Sequence, residues 1–219
     1  MKNTLHVLAI DDHAVVLQGY FSIFKHLENP YKFNLKKASD CKTGHDIILR
    51  HRDTPFDIAV LDYSIPAYPK LGLHTGEDMA ALLRREMPGC KIIMMTMHRE
   101  FEILGRIIQN IAPEGFINKS DCTTEELMEG FQAVIKGDTF YSNTIQNYMM
   151  RLEKGIMLEE VDLRILYLLA KGIKNKNLIK YIPMSDSGIE KRKYRIKRLL
   201  EVDGDDEVLI DKARRMGYI

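Results

Sequence analysis

The chain has 219 residues, 45% of them apolar and 29% charged, with a net charge of +1 and three cysteines. That length suits two small domains, and Cys41, Cys90 and Cys122, odd in number and without a CxxC, speak against a disulfide framework or a zinc site. No apolar run approaches the ~20 residues of a bilayer span and no leader-like segment opens the chain, so a soluble, cytoplasmic protein without a membrane partner is expected. The small net charge hides an asymmetry. Residues 1–150 carry three more acids than bases, and residues 151–219 four more bases than acids, which suggests different partners for the two halves.

In chain order, the apolar run Leu5–Ile10 ends on Asp11-Asp12 and predicts a first strand. Val15, Val16, Gly19, Tyr20, Ile23, Phe24 and Leu27 then recur at helical spacing. A strand is predicted over Lys32–Ala38, a short helix over Thr43–Arg50 and a third strand over Pro55–Asp62. Glu77–Met87 reads as a helix closed by Pro88-Gly89, Lys91–Thr96 as a strand, Glu100–Asn110 as a helix and Gly115–Lys119 as a fifth strand. Thr123–Lys136 is a helix with a capping box, Thr123 and Glu126, and Gly137 at its end. Buried parallel strands read as apolar runs because helices cover both faces. Five such units predict a doubly wound α/β domain with a five-stranded parallel sheet over residues 1–142. Residues 143–157 read as a helical or irregular linker. Residues 158–219 show no strand signal, only helical segments over Glu159–Lys171, Asn175–Tyr181, Ser187–Leu200 and Asp206–Met216.

Asp11, Asp12, Asp62, Thr96 and Lys119 each stand where an apolar run ends. In an open α/β sheet the carboxyl ends of the strands form the site, near the point where strand order reverses. Three carboxylates gathered there repel one another, and a divalent cation relieves the repulsion, Mg²⁺ being the natural candidate. One aspartate oxygen can then attack phosphorus to form an acyl phosphate. Lys119 and the Thr96 hydroxyl supply charge and a donor to the phosphoryl oxygens. Singly, each residue reads as an ordinary cap, turn or surface residue. Their joint order points to phosphoryl transfer.

The order Asp11-Asp12, Asp62-x-x-x-Pro66, Thr96, Lys119 resembles the receiver domain of two-component response regulators, over roughly residues 4–140. The resemblance implies a flavodoxin-like sheet, Asp62 as acceptor of a phosphoryl group from a sensor histidine kinase, and Mg²⁺ held by Asp12, Asp62 and the main-chain carbonyl of Ser64. Asp11 would act through metal-bound water. Phe116 matches the family's switch aromatic, and equally reads as a core Phe on a buried strand. Such a chain is a phospho-accepting regulator, limited to its own phosphotransfer and autodephosphorylation, and not an enzyme. The segment Tyr63–Thr75 is longer than the tight loop usual in receivers. Its prolines should stiffen it, and it is expected to shape kinase access or rest on a neighbouring surface. His13, beside the acids, reads as a polar neighbour and not a metal ligand.

In the second half, Lys191–Arg198 packs six cations into eight positions. On a helix, Ile189, Ile196 and Leu200 share one face and the basic residues wrap the rest. Such a helix can enter a major groove, and a short helix and turn precede it, in helix-turn-helix order. Residues 158–219 are similar to the LuxR/NarL-type DNA-binding domain, through Leu158, Ile165-Leu166, Leu168–Ala170, Gly172, Asn175-Lys176, Ser185, Ile189, Ile196, Leu200 and Val202. The resemblance makes Ser187–Leu200 the recognition helix on double-stranded DNA. It sets Ser187, Glu190, Lys191, Arg192, Lys193, Arg195 and Arg198 toward DNA, with Lys176 as a phosphate contact, and implies a homodimer on paired half-sites. Gly188 and Ile179 depart from the pattern, and the smaller residue is expected to make room for the larger. Glu190 is expected to cap the helix start with Ser187 or to accept from a cytosine amino group. The expected function is a transcriptional response regulator switched at Asp62. Two alternatives stay open: an aspartate-nucleophile phosphohydrolase, and a receiver whose output half binds protein.

Overall fold

A computed structural model describes residues 4–27, 31–153, 155 and 158–219. The chain divides into two units, residues 1–146 and 147–219. In the first, β1 (Thr4–Ile10), α1 (Ala14–His26), β2 (Lys32–Ala38), α2 (Cys41–Arg50) and β3 (Ile58–Asp62) are followed by α3 (Gly76–Glu86), β4 (Lys91–Thr96), α4 (Phe101–Ile111), β5 (Gly115–Asn118), α5 (Thr124–Lys136) and β6 (Phe140–Tyr141). The sheet is six-stranded and parallel, in the order β2-β1-β3-β4-β5-β6. Order reverses at β1, whose neighbours are β2 and β3, and that reversal opens the crevice at the carboxyl edge.

Alternation along the strands sets the two faces. Val7, Ala9, Val60, Ile93, Met95 and Ile117 pack with Leu17, Tyr20, Ile23 and Phe24 of α1 and Phe131 and Val134 of α5. On the other face, α2 comes so close to Ile10 that a Cβ on Gly44 would stand 2.6 Å from its Cδ1. The α5 capping box forms as the sequence predicts: Thr123 Oγ1 accepts from Glu126 N–H at 3.2 Å, and the Glu126 carboxylate accepts from Thr123 N–H at 2.8 Å.

The expectation of five strands is corrected to six. Phe140–Tyr141 pairs with Gly115 and Phe116 of β5, and two residues are too short to show a period of two. The third strand begins at Ile58, after Pro55, which has no N–H to give a ladder. The segment Tyr63–Thr75 folds back on itself: Tyr68 and Leu73 form an antiparallel bridge, and Gly72 turns with φ 67°. Cys41 N–H donates to Pro66 O at 3.0 Å, which ties the loop to the start of α2.

The expected linker is mostly one helix, α6 (Asn143–Glu153); Lys154, Ile156 and Met157 lie outside the described residues. The second unit contains α7 (Glu160–Ala170), a 3-10 turn over Asn175–Lys180, α8 (Asp186–Leu199) and α9 (Asp206–Arg215). Its core joins Ile165, Leu166 and Leu169 to Leu178, Ile189, Ile196, Leu209 and Ala213. The Arg151 guanidinium stacks 3.9 Å over the Tyr218 ring and bonds Met216 O, which fastens the end of α6 to the last residues. Gly188 does not make room for Ile179. A Cβ there would meet Met184 Cγ at 2.7 Å, whereas Ile179 is exposed.

Candidate functional site at the strand ends and on the basic helix

Sheet order brings Asp11, which follows β1, beside Asp62 at the end of β3, with Thr96 ending β4 and Lys119 following β5. Lys119 Nζ lies 2.7 Å from Asp11 Oδ2 and 3.0 Å from Asp62 Oδ1. Asp11 and Thr96 are fully buried, and Asp62 nearly so. Burial pushes the Asp62 carboxyl above its usual range against the pull of Lys119, with the Asp11 and Asp12 charges adding to the rise. Asp11 Oδ1 accepts from His13 N–H at 2.9 Å, and Tyr20 O–H donates to Asp11 Oδ2 at 3.4 Å. Burial and those same carboxylates push the Tyr20 phenol up, so it remains a donor.

Main-chain bonds fix the rim. Tyr63 N–H donates to Met95 O at 2.8 Å and Lys119 N–H to Thr96 O at 2.7 Å. Thr96 Oγ1 accepts from His98 N–H at 2.9 Å, which leaves the hydroxyl proton free to donate into the site. Ser64 is exposed on the rim, its Oγ 3.4 Å from His98 Nε2. Phe116 is fully buried on β5, opposite Met94, in a core position.

Sequence reasoning missed Gly76. A Cβ there would stand 2.0 Å from the Asp62 carbonyl oxygen, and Gly76 N–H donates to Tyr63 O at 2.9 Å. Only glycine lets α3 begin this close to the backbone of Asp62. The Gly just before the predicted Glu77–Met87 helix was the available signal.

The donor set suits a divalent cation. Lys119 serves Asp11 and Asp62, while Asp12 is half-exposed and meets His13 Nδ1 at 2.7 Å. One ligand atom each from Asp11, Asp12, His13 and Asp62 can be chosen so that all lie within 4.8 Å of one another. Thus His13, expected to be only a polar neighbour, stands within the cluster.

On α8 the basic residues divide. Asp162, fully buried on α7, accepts from Arg192 at 3.2 Å and Arg195 at 3.0 Å. Glu159 meets the same two guanidinium groups at 2.8 and 2.7 Å, and they hold its carboxyl below the usual range. The expectation that Lys193 faces DNA is corrected. It is only 6% exposed, and its Nζ bonds Asp206 at 2.8 Å and Asn175 Oδ1 at 3.0 Å. Lys193 falls on the stripe of Ile189, Ile196 and Leu200, so helix geometry turns it inward. Glu190 accepts from Asn175 Nδ2, and Ser185, not Ser187, caps the helix by accepting from Gly188 N–H at 3.2 Å. Ser187, Lys191, Tyr194 and Arg198 are exposed. They follow one another at helical i+4, i+3, i+4 steps and form a single outer stripe. Lys176 is exposed on the preceding 3-10 turn.

Comparison with known proteins adds three kinds of finding. The family model of the response regulator receiver domain matches residues 7–132. The chain is 24% identical over 212 residues to response regulator UvrY of Escherichia coli K12, covering 93% of this chain and 91% of the relative. It is 27% identical over 204 residues to transcriptional regulatory protein MctR of Rhizobium johnstonii, covering 90% and 88%. A solved structure of RcsB from Salmonella enterica serovar Typhimurium, bound to promoter rprA with the phosphomimetic BeF3-, shares the fold with a TM-score of 0.56 at 21% identity, over 95% of this chain and 97% of that one. The chain belongs to the response regulator receiver domain family.

Proposed function

We propose that this chain is a two-component response regulator that accepts a phosphoryl group on Asp62 from a sensor histidine kinase and answers it through DNA binding by its helical second unit. The observation that carries the reading is the Lys119 ammonium set between Asp11 and Asp62, at 2.7 and 3.0 Å. A half-buried lysine that serves two carboxylates at a sheet's carboxyl edge suits a transferred anion.

In this reading an Asp62 oxygen attacks phosphorus, the bond from phosphorus to the kinase's histidine breaks, and an acyl phosphate forms. Lys119 and the free proton of the Thr96 hydroxyl bind the phosphoryl oxygens. Asp11, Asp12, Asp62 and the Ser64 carbonyl would hold Mg²⁺, which offsets the charge of carboxylates and phosphoryl group together. The added charge of about −2 draws Thr96 and Lys119 inward, and that shift biases the pairing of two copies on DNA. For the output, the outer stripe of α8 (Ser187, Lys191, Tyr194, Arg198) is the surface offered to DNA, with Lys176 on backbone phosphate. Arg192, Lys193 and Arg195 hold the unit together. The relatives' names support the output: MctR is a transcriptional regulatory protein, and RcsB was solved on promoter DNA. The regulator acts in the cytoplasm.

The test is the intact mass of the chain after exposure to a small acyl-phosphate donor with Mg²⁺. Wild type gains one phosphoryl group and Asp62→Asn gains none. Equal labelling of both would overturn Asp62 as acceptor, and steady consumption of donor far beyond one equivalent would favour a phosphohydrolase.

A further inference from the structure

We propose that the Tyr63–Thr75 loop is a docking rib for the sensor histidine kinase, and that its Lys70-Leu71 tip decides which kinases pass a phosphoryl group to Asp62. The inference rests on Asp62 being the acceptor of a kinase's phosphoryl group. Asp62 is only 4% exposed, so a phosphorylated histidine must descend to it, and the protein that carries the histidine covers the surrounding rim. A standard interface takes about 800 Å² from each partner, a disc about 32 Å across. Gly76 packs on the Asp62 backbone. Leu71 stands five residues before Gly76, so chain length holds the tip within about 18 Å of it. The loop therefore stands at the margin of the kinase's footprint.

The loop fixes its backbone and leaves its tip uncovered. Tyr68 and Leu73 exchange main-chain bonds at 2.6 and 3.3 Å, Leu71 N–H donates to Tyr68 O at 3.1 Å, and Gly72 N–H donates to Pro69 O at 3.0 Å. Asp78 closes the base, where its Oδ2 accepts from the N–H groups of His74 and Thr75 at 2.7 and 2.9 Å. Yet Lys70 is exposed and Leu71 is 51% exposed. A lone exposed leucine is ordinary, but one held on a fixed backbone gives up little freedom on binding. Beside it, Leu71, Leu73, Ala81, Leu82 and Arg85 line a shallow recess of about 350 Å³. Ridge and recess fit a kinase surface that seats Leu71 in an apolar hollow, fills the recess with an apolar side chain and meets Lys70 with an acid. A tight loop would present neither feature. The added length gives the right kinase a contact and the wrong one a collision.

The test uses the full chain and two sources of phosphoryl group. One is a small acyl-phosphate donor, which needs no docking. The other is a panel of purified, autophosphorylated sensor histidine kinases from the genome that encodes this chain. Transfer is followed at rising concentrations of the chain, which separates the half-saturating concentration from the maximal rate. Leu71→Ser and Lys70→Glu are compared with wild type, and thermal melts check that these exposed positions leave the fold intact. Labelling by the small donor is expected to stay unchanged in both variants. With the kinase that serves wild type best, Leu71→Ser should raise the half-saturating concentration about five- to tenfold, the order set by the half of Leu71 left to bury, and keep the maximal rate. Lys70→Glu should change the order of preference among the kinases. Kinase transfer unchanged in Leu71→Ser, or slowed equally with both sources, would overturn the docking role, and an unchanged order in Lys70→Glu would overturn the selection. Unchanged transfer with altered pairing of the phosphorylated chain in sedimentation would assign the tip to a second copy and overturn the proposal. Wild type that the small donor labels and no kinase does would overturn the kinase reading itself, and the inference with it.

Discussion

Lys119 reaches Asp11 across 108 positions of sequence, its ammonium 2.7 Å from a fully buried carboxylate. That bond and the one to Asp62 leave two acids sharing one lysine, so charge at the site is not balanced.

A stability prediction follows from the raised pKa of Asp62, which burial dominates. A folded-state pKa above the unfolded value means a contribution present at low pH and lost as pH rises through the folded pKa. At neutral pH the ionised Asp62 therefore costs stability. Asp62→Asn should melt higher than wild type at pH 7, and the gap should close below pH ~4, where the unfolded carboxyl is also protonated. Mg²⁺ should narrow the gap at neutral pH by stabilising the wild type. Thermal melts across pH check this; a lower-melting variant at pH 7 would mean that pairing with Lys119 outweighs burial.

Gly76→Ala drives a Cβ to 2.0 Å from the Asp62 carbonyl oxygen. The obstacle is backbone, which no rotamer change relieves. A loss of about 2–4 kcal/mol is expected, along with a strong loss of phosphoryl acceptance, measured by chemical denaturation and by labelling with an acyl-phosphate donor.

The division of α8 into inner and outer cations predicts two kinds of mutant. Lys191→Ala and Arg198→Ala should leave the melting curve in place and weaken DNA binding, each lowering the salt slope by about 1. Asp162→Ala leaves Arg192 and Arg195 without their buried partner and Glu159 N–H without its 3.0 Å acceptor. It should cost about 2–4 kcal/mol. Denaturation and DNA titrations at several salt concentrations separate the two classes.

Gly188→Thr should destabilise the second unit by about 1–3 kcal/mol, because the new side chain meets Met184. Met184→Ala in the same chain should recover part of the loss, and Ile179→Ala should recover none, as a three-variant denaturation series will show.

The sheet and the site were legible because both faces of each strand are covered, so strands appear as apolar runs whose polar ends mark the crevice. Asp11, Asp62, Thr96 and Lys119 stand at those ends, and sheet order alone brings them together. The sixth strand was hidden by its length of two residues. The inward turn of Lys193 was half legible. Its place on the stripe of Ile189 and Ile196 follows from helix period, but its long stem and its partners Asn175 and Asp206 come from other segments. Charge counting treated every cation of the run as equivalent. Asp162, buried on α7, and Asp206, half-buried on α9, decide which remain available, and no local pattern in Lys191–Arg198 encodes that choice.

The most direct test of the account is DNA affinity as a function of the state of Asp62. A duplex is selected from random sequence by the phosphorylated full chain. It is then titrated with wild type and Asp62→Asn, each with and without acyl-phosphate donor and Mg²⁺. The account predicts a selected sequence, a steep salt dependence, and a donor-dependent change in affinity in wild type alone. Failure to select any sequence would contradict DNA output, and the same affinity for all four samples would contradict control through Asp62.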